Sequence, residues 1–137
     1  MTDAVQSALC ESHRETLQAT VALGRHVADS WETDRVRSSR PITEPFRRGM
    51  VASGLDKRLI RLLVDAVSAS GGQLGGQPVA APPYLVAASR GPICRATMRD
   101  GRRLVVELQL FGVERNPRSY VFLNPSPEEC LQVEVKR

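Results

Sequence analysis

Aromatic side chains are scarce in this chain: one Trp, two Tyr and three Phe make up 4% of its 137 residues. A core must therefore come from Leu, Val and Ala. Cysteine is sparse as well. Cys10, Cys94 and Cys130 are odd in number and widely spaced, which argues against a disulfide framework and for a reducing compartment, expected to be the cytoplasm. There is no long apolar run. The longest uncharged stretch lies between Asp65 and Arg90, and its Gly, Pro and Gln would leave backbone groups unpaired in lipid, so no membrane span is expected. The first residues, MTDAVQSALCESH, carry an acid at Asp3 and no basic start before an apolar core. No secretory signal is expected there.

What is present is a globular balance, 42% hydrophobic and 25% charged. The length suits a single domain over residues 1–137 that buries about two thirds of its unfolded surface. The net charge of +4 is unevenly placed: residues 1–32 hold five acids against two arginines, and residues 33–48 hold five arginines against two acids. Such a division allows either an internal electrostatic match or two surfaces facing different partners. Of the 19 basic residues 17 are Arg, which suits forked contacts to carboxylate or phosphate better than Lys does.

Helical signals come first along the chain. Val5, Leu9, Leu17, Val21, Val27, Ala28 and Trp31 recur at helical spacing behind a capping Thr2, predicting one long helix over residues 3–32. TDRVRSSRPIT (33–43) reads as a loop. Thr43-Glu44-Pro45 then starts a short helix, 44–53, that stops at Gly54. Leu55, Leu59, Leu62, Leu63, Ala66 and Val67 give the apolar face of a further helix, 56–70. The helical part thus covers residues 1–70, a Gly/Pro-rich linker covers 71–83, and a β part covers 84–137. The strand-like pieces YLVAAS, PICRATM, RRLVVELQLFGVE, SYVFL and CLQVEVK, joined by turn residues, predict an antiparallel meander of about five strands. Helices followed by a sheet is the α+β pattern.

The hairpin RATMRDGRRLVVELQLFGVER (95–115) permits an argument about register. A two-residue Asp100-Gly101 loop would put Arg95 beside Val106 and mix the two faces. A three-residue loop, Arg99-Asp100-Gly101, with Gly101 left-handed, separates them. Cys94, Ala96, Met98, Leu104, Val106, Leu108 and Leu110 then share one face, and Arg95, Thr97, Arg103, Glu107 and Gln109 the other. The second register is the one expected, with Arg99 and Arg102 at the tip. Such a surface can grip phosphate through guanidinium forks, or simply keep a sheet soluble. It has no exposed aromatics for a single-strand stacking platform.

A second basic group lies on the helical hairpin EPFRRGMVASGLDKRLIRLLVDAV (44–67): Arg47, Arg48, Lys57, Arg58 and Arg61. Two helices meeting near Gly54 have the outline of a helix-turn-helix. Met50 at a position usually held by a small residue, a long spacer before the strands, and Asp56 and Asp65 on the would-be recognition helix all oppose that outline. Cys10-x-x-His13 offers two metal ligands without a second pair, so no metal is expected. Asp100 and Glu107 resemble a nuclease pair but fall roughly 20 Å apart at about 3.3 Å per residue, too far to share an ion. No nucleophile constellation or phosphate loop is present. Neither an enzyme nor a cofactor is expected.

Residues 79–115, VAAPPYLVAASRGPICRATMRDGRRLVVELQLFGVER, combine an Ala-Pro-Pro-Tyr lead-in, a Ser-Arg-Gly-Pro turn and an Asp-Gly-Arg-x-Leu-Val-Val hairpin. In these features the segment resembles the C-terminal part of small uncharacterised haloarchaeal proteins. The resemblance covers about a quarter of the chain. It implies a cytoplasmic archaeal or archaeal-virus origin and no known activity, hence no site to carry over. The expected function is a non-enzymatic binding or scaffold domain acting through a protein partner or self-association. The alternative is a nucleic-acid-associated, DNA-binding protein using Arg47, Arg48, Lys57, Arg58 and Arg61, or the hairpin group Arg95, Arg99, Arg102 and Arg103.

Overall fold

Helices dominate the first half of the chain and strands the second, which makes the fold α+β. The computed structural model describes residues 2–137. In chain order the elements are α1 (Thr2–Ser12), α2 (Arg14–Asp29), β1 (Arg35–Val36), α3 (Arg40–Ser53), α4 (Leu55–Ala69), β2 (Leu85–Ala88), β3 (Gly91–Thr97), β4 (Arg103–Leu108), β5 (Phe111–Glu114), β6 (Ser119–Phe122), α5 (Pro127–Cys130) and β7 (Leu131–Lys136).

The single helix predicted over 3–32 is two helices, α1 and α2, ending at Asp29. Hydrogen bonds run across the joint, from His13 N–H to Leu9 O at 2.8 Å and from Leu17 N–H to His13 O at 3.0 Å. His13 itself sits at φ −122°, ψ 29°, outside the helical well. The bend lets each half follow its own partners: α1 packs on β7 and α4, and α2 on α3, α4 and α5. His13 Nε2 lies 2.6 Å from Asp65 Oδ2, which fastens the joint to α4.

The helix predicted over 44–53 begins four residues earlier, at Arg40. Pro41 belongs to its first turn, where a missing N–H costs nothing, and Pro45 lies inside the helix rather than at its start. Having no N–H, Pro45 leaves the carbonyl of Pro41 without its usual partner four residues on. The indole N–H of Trp31 donates to that carbonyl at 3.3 Å instead. The helix predicted over 56–70 appears as α4, displaced by one residue at each end, with Leu59, Leu62, Leu63, Ala66 and Val67 buried.

The strands form two sheets rather than one meander: β1-β6-β5 and β2-β3-β4-β7, all pairs antiparallel. The run predicted as one strand over 102–114 is divided, because Gln109 N–H turns to Cys130 O (2.8 Å) and Leu110 N–H to Arg90 O (2.7 Å). From that point β5 and β6 make their own ribbon with β1, while β4 pairs with β7. Helices cover the inner face of the four-stranded sheet, burying Cys94, Ala96, Leu104, Val106 and Leu131 against α4 and α1. Trp31 and Phe122 flank Phe111 at ring distances of 5.8 and 5.7 Å, joining α2's end to the ribbon. Among the described residues no helix is long and apolar enough to cross a membrane.

Candidate functional site

The β3–β4 hairpin has the three-residue turn. Cys94 pairs with Val106, Arg95 with Val105, Ala96 with Leu104 and Thr97 with Arg103. Met98 N–H donates to Arg102 O at 2.8 Å and Gly101 N–H to Met98 O at 3.0 Å, with Gly101 at φ 89°, a conformation open to Gly without a Cβ penalty. Cys94, Ala96, Met98, Leu104 and Val106 are all buried, while Arg95, Thr97 and Arg103 are exposed. The face expected to be basic is therefore the solvent face.

The four hairpin arginines part into two pairs. Those at the tip serve the turn itself. Arg102 lies 2.8 Å from Asp100 through its Nε, and its backbone N–H donates to Asp100 Oδ1 at 3.0 Å. That backbone hydrogen bond, then the guanidinium, hold the Asp100 carboxyl below its ordinary range. Arg99 donates to Leu74 O at 3.2 Å and to Gln73 Oε1 at 3.4 Å. Arg95 and Arg103, in contrast, make no ion pair among the described residues. They line one groove of about 680 Å³ on the outer face of the sheet, together with Tyr84, Thr97, Val105 and Lys136.

Two long-range pairings build this groove. Arg103 on β4 stands directly opposite Lys136 on β7, so a third cation joins the two arginines. On the other side, the segment expected to be a linker is tied into the sheet. Arg99 N–H donates to Gln73 O at 2.8 Å, Leu74 bridges Met98, and Gly75 N–H donates to Thr97 O at 3.2 Å. The chain then swings out and returns where Arg95 N–H donates to Tyr84 O at 2.9 Å. Leu74, Gly75, Gly76, Pro83 and Tyr84 consequently form a side wall over the sheet face. Lys136 Nζ lies 3.7 Å from Glu134 and is partly neutralised. Lys136 and Tyr84 were not singled out in the sequence, because neither lies in the hairpin that brings the arginines together.

The helical group does not converge. Arg47 lines a hollow between α3 and β2 that also holds Glu44 and Asp56. Arg58 and Arg61 line a different one, beside Glu11, His13, Arg14 and Glu15. Arg48 and Lys57 are exposed and line neither. The α3–α4 joint is Gly54 alone, shorter than the three- or four-residue turn of a helix-turn-helix.

The thiols are set apart from this groove. Burial pushes Cys94 up to about 12, and burial with the nearby Cys10 does the same to Cys130. Cys10 is raised less, by burial and then by Glu128. Among the described residues no group of three or more His, Cys, Asp or Glu is arranged to hold a metal ion.

A family model described as "Domain of unknown function (DUF7988)" matches residues 3–136. No curated protein and no solved structure matches the chain.

Proposed function

The chain belongs to the DUF7988 family, and we propose that it is a non-enzymatic binding domain whose partner presents an anion to the outer face of the four-stranded sheet. One observation carries this reading: Arg95, Arg103 and Lys136, drawn from three strands, open into a single groove, and neither arginine is paired with a carboxylate among the described residues. Two unpaired guanidinium forks on a rigid sheet are pre-organised for phosphate or carboxylate. The proposal takes the non-enzymatic binding role from the first expectation and the anionic ligand from the nucleic-acid alternative, whose nine basic residues narrow to Arg95 and Arg103, joined by Lys136. The three unpaired thiols support the cytoplasmic placement.

Retention on immobilised heparin tests the reading, since a polyanion probes any cationic site and responds to salt. Reversing both groove arginines (Arg95→Glu with Arg103→Glu) is compared with Arg47→Glu and Arg48→Glu, which changes net charge equally. The groove pair is expected to lower the eluting salt concentration markedly and the helix pair to leave it nearly unchanged. Equal shifts from the two pairs would show that only overall charge is being read, and the groove would lose its role.

A further inference from the structure

We infer that the groove takes a compact phosphate ester bearing a flat apolar group, a ligand of mononucleotide size, an inference that rests on the anion-binding reading above. The positive patch is small and bounded. Arg103 and Lys136 are direct cross-strand neighbours, with Arg95 on the diagonal from Arg103, which puts the Arg103 backbone about 5 Å from Lys136 and about 8 Å from Arg95, while Arg95 and Lys136, two strands apart, are about 12 Å from each other. Such side chains can meet on one phosphate group, and two of them are forks that bind its oxygens in pairs.

The neighbouring rows of the same face show where the charge ends. The register places Ile93, Glu107 and Gln132 side by side in the row beyond Arg95. At the outer end of the middle row Glu134 stands next to Val105. A continuing polyanion lying across the sheet would meet Glu107 on one course and Glu134 on the other. Proteins that follow a nucleic-acid strand extend a cationic track along it; here carboxylates close the track on the two sides away from the hairpin tip, and at the tip Asp100 pairs with Arg102 and lies near Arg137.

Apart from Thr97, the side chains lining the rest of the groove are apolar or aromatic. Tyr84 lies beside Arg95 in the middle row, Val105 lies on Arg95's other side, and Leu74 and Pro83 stand in the wall. A volume of about 680 Å³ falls within the roughly 300–1,000 Å³ typical of small-ligand sites. A ring resting on Tyr84 with its phosphate among Arg95, Arg103 and Lys136 uses both ends of the groove.

Isothermal titration of the full chain with AMP, adenosine, glycerol phosphate and a short oligothymidylate tests this. AMP is expected to bind about tenfold or more tightly than either adenosine or glycerol phosphate, each of which supplies only one end. Arg103→Gln should weaken AMP about tenfold. Tyr84→Leu should weaken AMP several-fold and leave glycerol phosphate unchanged, a difference that a general loss of folding does not produce; Val105→Ser probes the same floor from β4. Equal affinity for AMP and glycerol phosphate overturns the inference. So does tighter binding of the oligothymidylate than of AMP, or no binding of AMP, while heparin retention still depends on Arg95 and Arg103; in each case the anion-binding reading survives. Loss of that arginine dependence removes both.

Discussion

Replacing Gly91 with Ala tests how tightly the two sheets are locked at their point of divergence. Gly91 opens β3 at φ 138°, a region of backbone space closed to residues with a Cβ except at a cost of about 1–3 kcal/mol. A Cβ there would also overlap the carbonyl oxygen of Leu108 and lie 3.1 Å from its carbonyl carbon. That carbonyl cannot swing aside like a side chain, because Leu108 pairs with Leu131 on β7 and the next residue donates to Cys130 O. Forced displacement in a packed region adds about 1–3 kcal/mol. The expected loss is therefore about 4 kcal/mol, a large part of the roughly 5–15 kcal/mol that holds a domain together, and on the order of 15 °C in Tm. Urea unfolding followed by the fluorescence of the single Trp31 measures it. Gly101→Ala is the control: it shares a positive φ of 89° but meets nothing within 4 Å, so only the conformational cost of about 1–2 kcal/mol applies. If the two variants agree within about 1 kcal/mol, the Leu108 carbonyl is not the obstacle and the reasoning fails.

Trp31→Phe keeps the ring beside Phe111 and removes the donor to Pro41 O, so it should cost about 1 kcal/mol; in a Pro45→Ala background the restored N–H serves that carbonyl and the cost should shrink, and additive costs by circular dichroism would disprove the substitution of donors. Folding lowers the Asp100 pKa below 3.8, so the turn's contribution is complete above that pH and is lost as pH falls through the lower native value. NMR titration of the Arg102 amide should therefore give a midpoint below 3.8, moving only part of the way back in Arg102→Ala because the backbone donor remains; an unshifted midpoint in the parent protein would refute the contact. For Cys94 and Cys130 the sign is opposite, since burial raises them from 9.0 to about 12: the unfolded chain gives up protons that the native state retains, so stability holds below pH 9 and declines as pH climbs toward 12. Urea midpoints measured on both sides of pH 9 should show that decline, and Cys94→Ala should reduce it.

Face segregation made the β3–β4 hairpin legible. Only one turn length keeps Arg95 away from Val106, and a one-residue slip exchanges every side chain between core and water. The same local logic placed α4 almost to the residue. It did not place the bend at His13, since CESHRE contains nothing hostile to a helix, and the bend exists because α1 and α2 answer to different neighbours. Nor did it divide LVVELQLFGVE, whose alternation runs unbroken through Gln109 and Leu110 although their N–H groups find distant partners. β1, with two residues, is too short to carry a pattern. In the groove, Arg95 and Arg103 were visible because they share a hairpin. Lys136 and Tyr84 were not: the first arrives by the pairing of β4 with β7, and the second by the return of the 71–83 segment to β3. Arg99 and Arg102 looked equivalent to the groove pair until their local acceptors, Gln73, Leu74 and Asp100, were in view.

The excursion over residues 76–83 leaves the sheet opposite Thr97 and rejoins it opposite Arg95, on adjacent turns of the same strand's pleat. Its two ends are thus clamped side by side whatever its length, and closing a longer detour raises the entropy cost only slowly. New residues spliced in at the exposed Val79, which does not line the groove, would lengthen the detour without breaking the rungs at Gly75 and Tyr84 that bracket it. The fold therefore separates the part of the molecule that can be rewritten from the part that must stay fixed.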